Sequence, residues 1–423
     1  MKTTGKITKI FALVLCAAML MLFVASCGAS NAVVLSYTAD NGKTYTLTEA
    51  EYAFLMKYTK YEVFASYGYP SSWDVAEFWE SDSGDNKTLD ATVTESVLET
   101  AKSVVIEKYL MDKYGLSIEN DADMKKEMDE AVETIKKAAK NLGGSGAFKR
   151  YWGYTTDELV NYNKMILTSE MVSTHLYDDK DGISKLTDEQ LNDYYKENYK
   201  QYFMILINTK EDIKKDDDGN KLVVVKDKNN KEVTITLDQA LDKEFLKEKE
   251  YTLSYTFKYE SVTDKDKQEE QKDLANTILQ RIKDGEDFKT LALEYSEEFL
   301  THFYENGYMV SGDLISDKDA IEVISELEIG EMTDKVLSLQ SDKYIYIVKR
   351  IDLTEKAYTH ADEDAEETEY KDIFTNFKTT VKNHTYSELL KAYAKDITVN
   401  TNITGKYNMK DTFLSKEIYY TYG

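Results

Sequence analysis

KDGEDFKTLALEYSEE, residues 283 to 298, joins two helical patterns through one short turn. The first pattern ends at Asp284-Gly285, where glycine supplies the left-handed backbone that commonly terminates a helix. A second helix is predicted directly afterwards, with one apolar face made of Phe288, Leu291, Ala292 and Tyr295. Two amphipathic helices this close together need a partner layer to cover their apolar faces.

Strand-like segments lie on both sides of this helix pair. They are rich in β-branched and aromatic residues: YFMILINT at 202–209, KLVVVKDKNNKEVTITL at 221–237, YTLSYTFKYESV at 251–262 and YIYIVKRID at 344–352. The second segment predicts a hairpin around Asn229-Asn230. The acidic cluster before it, Asp216 to Gly219, does not fit an EF-hand, because loop positions one and twelve would be Lys214 and Val225.

Helical patterns dominate the remainder of the chain. The first part begins with a hairpin that turns at Asn41-Gly42 and continues as amphipathic helices. One of these carries Met124 and Met128, which predict either bundle core or an adaptable apolar surface for peptides. A last helix is predicted from about Tyr370 to Ala394, after an acidic stretch at 359–369 that is typical of an exposed linker.

The first 26 residues are typical of an export signal. Three lysines precede an apolar run from Ile10 to Ala25, which is shorter than the roughly 20 residues of a membrane-spanning helix. Val24-Ala25-Ser26-Cys27 resembles the bacterial lipoprotein processing box, which implies a lipid on Cys27. The alternative is an uncleaved anchor helix with a chance cysteine. Both interpretations place residues 28–423 outside the cytoplasmic membrane.

Composition limits the chemistry that the chain can perform. Its 423 residues, 42% hydrophobic and 31% charged, indicate a folded protein of more than one domain. The two cysteines are Cys16, inside the signal, and Cys27, so no disulfide, thiolate metal site or thiol nucleophile is expected. Without the signal the chain has 50 basic and 78 acidic residues, a formal charge of −28, which disfavours nucleic acid as a partner. No metal or cofactor is predicted.

Three motifs together resemble the parvulin-type peptidyl-prolyl isomerase domain. They are ILQRIKDGEDFKTLALEYSEE, SELEIGEMTDKV and YIYIVKRID. With the lipoprotein box and the helical flanks, the chain looks like an exported foldase lipoprotein of the PrsA and SurA-like kind. The resemblance implies an α+β protein in which a helical chaperone domain, formed by the N- and C-terminal segments, carries an inserted parvulin-like domain with a four-stranded antiparallel sheet.

The resemblance also implies domain boundaries. We expect a signal at 1–26, a lipidated tether at 27–32 and the first part of the chaperone domain at 33–199. The parvulin-like domain is expected at 200–353, with a hairpin insertion at about 210–250. Residues 354–423 are expected to form a linker and a helix that complete the chaperone domain.

Family positions for catalysis can be carried over residue by residue. The first family histidine falls on Met204 or, if residues 209–250 precede the sheet, on Tyr255. The second falls on Tyr346, and the acidic or thiol position falls on Glu298. Both histidines are therefore replaced in this chain. His302 follows Glu298 in the next loop, where an exposed histidine and a catalytic one are both compatible with the sequence.

The substrate pocket of the family is matched loosely. Asp313 and Leu314 correspond to part of the family's glycine-rich loop. The two pocket positions that follow fall on Ile315 or Ser316 and on Ala320 or Ile321, so the aromatic floor of the pocket is replaced. Tyr255 and Tyr346 have hydroxyl groups that can donate hydrogen bonds to an amide, although buried sheet tyrosines are the alternative.

These residues predict a membrane-anchored folding factor with a degenerate isomerase site. Its partners would be unfolded or newly exported polypeptides, and the membrane through lipid on Cys27; a homodimer is compatible with the sequence. One alternative is an active prolyl isomerase that uses Glu298, Asp313 and the tyrosines. A second alternative is a solute-binding or adhesive surface lipoprotein.

Overall fold

The computed structural model describes residues 31–67, 74–84, 86–304, 306–361 and 370–414. The predicted signal, Cys27 and most of the predicted tether lie outside the described residues, as does most of the acidic stretch at 359–369. Within the described ranges, no helix is both long and apolar enough to cross a membrane. The chain divides into two compact units, one made of Met1–Leu186 with Lys382–Gly423 and the other of Thr187–Val381.

The first unit opens with a hairpin and continues as helices. Its elements are β1 (Val33–Thr38), β2 (Thr44–Thr48), α1 (Glu49–Tyr67), α2 (Ala76–Trp79), α3 (Leu89–Lys113), α4 (Ala122–Asn141), α5 (Ser145–Trp152) and α6 (Thr156–Tyr177). The hairpin turns at Gly42, whose φ is 82°. Thr48 and Glu51 form the capping box that starts α1. These elements confirm the predicted hairpin and the predicted helical character of this segment.

The second unit contains helices and three groups of strands. Its elements are α7 (Asp188–Asn198), β3 (Lys200–Asn208), β4 (Glu211–Ile213), β5 (Leu222–Lys226), β6 (Glu232–Thr236), α8 (Leu237–Leu241), α9 (Lys243–Lys249), β7 (Thr252–Phe257), β8 (Tyr259–Ser261), α10 (Lys265–Lys283), α11 (Phe288–Tyr295), α12 (Phe299–Phe303), β9 (Tyr308–Val310), α13 (Lys318–Ser325), β10 (Leu337–Leu339), β11 (Tyr344–Ile351) and α14 (Lys371–Phe374).

Four of these strands form an antiparallel sheet in the order β10-β11-β3-β9. One face of the sheet packs on α10 and α11 through Ile205, Ile207, Ile345 and Ile347. The turn between those helices has the predicted form, because Gly285 takes a φ of 102° and Asp287 caps α11. The predicted apolar face is confirmed too: Phe288, Leu291 and Ala292 are buried against the sheet.

The segment between β3 and α10 forms an insertion with its own core. Its three-stranded sheet has the order β6-β5-β7, and β4 pairs with β8 in a separate two-stranded ribbon. The predicted hairpin is β5 and β6, paired from Leu222 with Thr236 to Lys226 with Glu232. The insertion is larger than the predicted 210–250, because β7 and β8 extend it to Ser261.

The chain returns to the first unit through α15 (Phe377–Ala394), β12 (Thr398–Val399) and α16 (Thr401–Thr404). In that unit β12 pairs with β1, with Leu35 opposite Val399. Tyr386, Leu390 and Met409 are buried in the same core as residues of α1 and α3. The predicted α+β architecture is confirmed: the two ends of the chain build one helical domain, and an α+β domain is inserted between them.

The division between the units differs from the boundaries expected at 199/200 and 353/354. Helix α7 belongs to the inserted unit because the Tyr195 hydroxyl donates to the Thr354 carbonyl at 2.8 Å and its ring lies 5.7 Å from that of Phe374. Residues 354–361 and 370–381, expected in the helical domain, are also part of the inserted unit. Their buried side chains include Tyr358, Tyr370 and Phe374.

Candidate functional site

The candidate site lies on the face of the four-stranded sheet opposite α10 and α11. Met204 on β3 stands opposite Val348 on β11, and Tyr346 stands opposite Leu206. Because directly paired residues share a face, Met204 and Tyr346 belong to the same surface. Met204 is buried and Tyr346 half-buried in one apolar cluster that also contains Tyr202, Tyr308 and Leu337. Of the two positions proposed for the first family histidine, Met204 therefore shares a sheet face with Tyr346.

Tyr255 lies elsewhere, on β7 of the inserted sheet. Its side chain is 45% exposed and contacts Phe299 and Phe303. Tyr255 therefore does not share the sheet face of Met204 and Tyr346. The alternating pattern around Tyr255 was typical of a strand, but it did not reveal which sheet the strand joins.

Glu298 lies at the start of α12, where its carboxylate accepts a hydrogen bond from the backbone N–H of Leu300 at 3.4 Å. Burial raises the pKa of Glu298 above its ordinary value. Burial also raises the pKa of Tyr346 to about 12, with a further contribution from the charge of Glu298. The same two causes raise the pKa of Tyr308. Glu298 therefore lies within electrostatic range of Tyr346 and Tyr308.

A buried chain of hydroxyl groups lies beneath this surface. Ser296 accepts a hydrogen bond from the backbone N–H of Leu206 at 3.2 Å and lies 3.0 Å from the hydroxyl of Thr301. Thr301 in turn lies 2.9 Å from the hydroxyl of Tyr308. Thr301 and Tyr308 lie in a segment with no regular apolar spacing, so the sequence alone did not indicate them as site residues. These hydroxyl groups connect the start of α12 to β3 and β9 through hydrogen bonds.

The four residues predicted to bind substrate come together in one cleft. Asp313, Leu314, Ile315 and Ile321 line it with Lys200 and Tyr202. Ser316 does not line the cleft, and Ala320 is buried behind it in the apolar cluster. The cleft has a volume of about 10 Å³, which is about the minimum for a single water molecule. The arrangement of side chains is present, but the cleft as it stands has no room for a proline ring.

His302 points away from this surface, towards the insertion. It is 9% exposed, its Nε2 lies 3.3 Å from the carbonyl oxygen of Ser296 and 3.5 Å from Nζ of Lys221, and its ring packs edge-on against Phe257. Burial and the Lys221 charge lower the pKa of His302 to about 4. The histidine is therefore neutral and is not the exposed loop residue that the sequence also allowed.

The chemistry available on the sheet face follows from these residues. Met204 offers neither a proton donor nor an acceptor of ordinary strength. Tyr346 retains its proton at neutral pH and can only donate or accept a hydrogen bond. Burial shifts the pKa of Glu298 upward, and its charge contributes to the raised pKa of Tyr346 and Tyr308. A surface of this kind is suited to apolar contact more than to proton transfer.

Comparison with protein families gives one match within this unit. Residues 247–352 match the family described as the PPIC-type PPIASE domain. The matched range starts in α9, includes β7, and ends one residue after β11. It does not include β3, the strand that carries Met204, although every residue of β11 pairs with β3. The inserted strands separate β3 from the rest of its domain along the sequence.

Individual relatives point to the same group. The chain is 32% identical over 154 residues to the foldase protein PrsA of Oceanobacillus iheyensis, an alignment covering 35% of this chain and 47% of that protein. The chain thus aligns with about half the length of this curated relative. Solved structures similar to it are PrsA from Bacillus subtilis, with 16% identity and a TM-score of 0.20 over 79% of this chain and 96% of that one, and PrsA from Bacillus cereus, with 15% identity and a TM-score of 0.27 over 76% and 90%. No conclusion follows from TM-scores this low.

Proposed function

We propose that the protein is an extracytoplasmic folding factor. Two similarities support this proposal: residues 247–352 match the PPIC-type PPIASE domain family, and the chain is similar to a PrsA foldase. It binds unfolded polypeptides after export and holds them in a state from which they fold. In this proposal the parvulin-type domain serves mainly for binding, and its isomerase site is degenerate.

One observation carries the proposal. The face that would have to twist a peptide bond presents Met204 and Tyr346, and the adjoining cleft has a volume of about 10 Å³. Rotation about the peptide bond has a barrier of roughly 18 to 20 kcal/mol, which catalysis must lower through groups placed around the amide. Binding an unfolded chain needs apolar surface and shape, and these survive the loss of both histidines.

Suppression of aggregation is the direct test of the binding role. Citrate synthase unfolded by heat would be mixed with the purified chain lacking its first 26 residues, and light scattering followed. We expect suppression at near-stoichiometric amounts, and no suppression by an equal mass of serum albumin. Aggregation that proceeds as in the albumin control would reject the proposed function and favour a receptor for a specific small ligand.

The position in the cell is the second part of the proposal. A lipid on Cys27 would hold the helical unit close to the outer surface of the cytoplasmic membrane, where exported chains emerge. Lipoprotein processing attaches at least two acyl chains, enough for stable anchoring. Replacing Cys27 with Ala should release the protein from the membrane fraction after signal cleavage. A Cys27→Ala protein that stays with the membrane would reject the lipid anchor while leaving the binding role intact.

An active isomerase is the second candidate function, and the position of Glu298 favours it. A carboxyl whose pKa is raised by burial retains a proton more readily, and in this candidate function Glu298 is the acid that donates to the amide nitrogen. This candidate requires the cleft of Asp313 and Ile315 to open around a proline ring. It predicts a measurable isomerase rate that is lost in Glu298→Gln.

A further inference from the structure

The inserted strand β7 contains an irregularity at Ser254 and Tyr255. Val225 of the neighbouring strand stands opposite Leu253, but the next residue, Val224, stands opposite Thr256, so the register of the pair skips Ser254 and Tyr255. This is a β-bulge with two additional residues. Tyr255 takes a φ of 51°, which a residue with a large side chain rarely adopts.

The bulge also leaves a polar group without compensation. The hydroxyl of Ser254 is buried and has no hydrogen-bond partner among the described residues. A left-handed tyrosine and an unpaired buried hydroxyl are both unfavourable, and here they occur at adjacent positions. Such features persist where the rest of the fold imposes them, and they concentrate at binding and catalytic sites.

The consequence of the bulge is the direction of one aromatic ring. Tyr255 is 45% exposed, on an outer strand of the three-stranded sheet. Its ring meets two rings of α12 edge-on, at 6.1 Å from Phe299 and 5.5 Å from Phe303. Phe299 is buried, whereas Phe303 is half-buried beside the exposed tyrosine. Tyr255 and Phe303 therefore form an aromatic corner at the surface.

This corner is continuous with the candidate site. Phe303 packs on Tyr304 at 5.2 Å, and Tyr304 packs on Tyr308 at 6.1 Å. Leu300 contributes to both the core of the insertion and the apolar cluster that contains Met204 and Tyr308. Helix α12, which starts directly after Glu298, thus connects the insertion to the sheet face.

We propose that Tyr255 and Phe303 form an aromatic subsite that binds an aromatic or large aliphatic side chain of an extended non-native polypeptide. The inference rests on the proposed function and specifies its substrate: segments with an exposed aromatic side chain, whether or not they contain proline. Rings that meet edge-on present both an edge and a face to a third ring, which is the arrangement that aromatic groups prefer. The insertion thereby enlarges the binding surface beyond the closed cleft.

The first test compares two labelled peptides on the full mature chain by fluorescence anisotropy. One is a proline-free ten-residue peptide with a central Phe, and the other has Ser in its place. We expect the Phe peptide to bind at least about tenfold more tightly to the wild type, as is common for a central aromatic anchor. In Tyr255→Asn that preference should disappear, since asparagine tolerates the left-handed backbone but has no ring.

Two variants serve as matched controls. Tyr255→Phe keeps the ring and should retain the preference for the Phe peptide. Ile329→Asn removes another exposed apolar side chain of the same unit, 55% exposed, at a turn remote in sequence from the insertion, and should also retain it. An unchanged preference in Tyr255→Asn overturns the inference and leaves the proposed function standing. A wild type that binds neither peptide overturns the proposed function and the inference together.

A second measurement uses the wild-type chain, so it does not depend on the folding of any variant. The Phe of the peptide is replaced with the photoreactive benzoylphenylalanine, and the cross-linked residues are identified by mass spectrometry. We expect cross-links within β7 and α12, at Tyr255 or Phe303. Cross-links confined to the helical unit or to the remainder of the inserted unit contradict the subsite.

Discussion

Tyr386 donates its hydroxyl hydrogen to the carboxylate of Glu107 at 3.0 Å, although the two residues are 279 positions apart in the sequence. Both side chains are buried, and Ser169 of α6 forms a further hydrogen bond with Glu107. Helices α3, α6 and α15 meet at this carboxyl group. The contact fastens the C-terminal segment to the N-terminal one, within the domain that an inserted unit interrupts.

Removing one hydroxyl from this contact should weaken the helical unit. Tyr386→Phe leaves a buried carboxylate with one donor fewer, and we expect a loss of about 1 to 3 kcal/mol in the free energy of unfolding. Tryptophan fluorescence in urea measures this loss, because Trp79 and Trp152 belong to this unit and the sequence of the inserted unit, Thr187–Val381, contains no tryptophan.

Tyr393→Phe on the same helix is the matched control. The Tyr393 hydroxyl accepts from Lys113 at 3.1 Å in a solvent-exposed position, so its removal should cost less than about 0.5 kcal/mol. Equal losses in the two variants would contradict the role given to the contact between Tyr386 and Glu107.

Glu107 should also make the stability of the helical unit depend on pH. Burial raises the pKa of Glu107 from 4.5 to about 7. The folded state therefore binds one proton more than the unfolded state between these values, and stability falls as the pH rises through this window, by about 3 kcal/mol. Glu107→Gln should remove this decline. Urea unfolding of the wild type and of Glu107→Gln at about pH 5 and about pH 8 tests this prediction. If the difference in their free energies of unfolding were the same at both pH values, the role given to Glu107 would be wrong.

Lys60 is 1% exposed and pairs with Asp74 at 2.8 Å. It also donates to the carbonyl of Thr412 at 2.8 Å. Asp74→Ala leaves a buried cation without its counter-charge, and we expect a loss of roughly 3 to 5 kcal/mol. Adding Lys60→Met to that variant should recover at least half of the loss, because the stranded charge is gone. Tryptophan fluorescence in urea again provides the measurement.

The exposed pair of Lys391 and Glu388, also at 2.8 Å, is the control for Lys60. Glu388→Ala should cost less than about 1 kcal/mol, since both partners remain solvated. A double variant of Lys60 and Asp74 that is no more stable than Asp74→Ala alone would show that the buried charge is not the source of the loss.

The turn at Gly285 should require glycine only because of its left-handed backbone conformation, and not because a side chain would clash there. Its φ is 102°, and an added Cβ would meet nothing within 4 Å. Gly285→Ala should therefore lower the stability of the inserted unit by about 1 to 2 kcal/mol. Gly307→Ala should cost more, because its φ is 93° and the new Cβ would also lie 2.6 Å from the carbonyl oxygen of Tyr202. Thermal unfolding followed by circular dichroism shows which of the two variants loses more stability.

Gly312 provides the control for these two positions. It has no left-handed backbone, and a Cβ there would meet no atom within 4 Å, so Gly312→Ala should be neutral or slightly stabilising. If Gly312→Ala and Gly285→Ala lost the same stability, the argument from backbone conformation would fail.

The sequence predicted the elements that are determined by residues close together in the chain. The turn at Gly285, the hairpin at Gly42 and the capping box of Thr48 depend on neighbouring residues and are present as expected. The apolar spacing of Phe288 and Leu291 likewise identified the face that packs on the sheet.

Features that depend on long-range packing were not predictable in this way. Tyr255 and Met204 both lie in strand-like segments, and only the pairing of β3 with β11 separates their positions. The alternation of apolar and polar residues at 251–262 does not indicate the bulge at Tyr255. The contact of Thr301 with Tyr308 joins residues of an irregular segment, and α7 is placed with the inserted unit by the burial of Tyr195, which its own sequence does not specify.

The most direct test of the central claim is the rate of prolyl isomerisation. Exchange spectroscopy by NMR on a tetrapeptide with one proline, with and without the wild-type chain, measures that rate at equilibrium. We predict a rate that stays within about twofold of the uncatalysed one, which is governed by a barrier of roughly 20 kcal/mol, under conditions where the chain prevents aggregation. A clearly faster rate that falls to background in Glu298→Gln would contradict the account and establish a working isomerase.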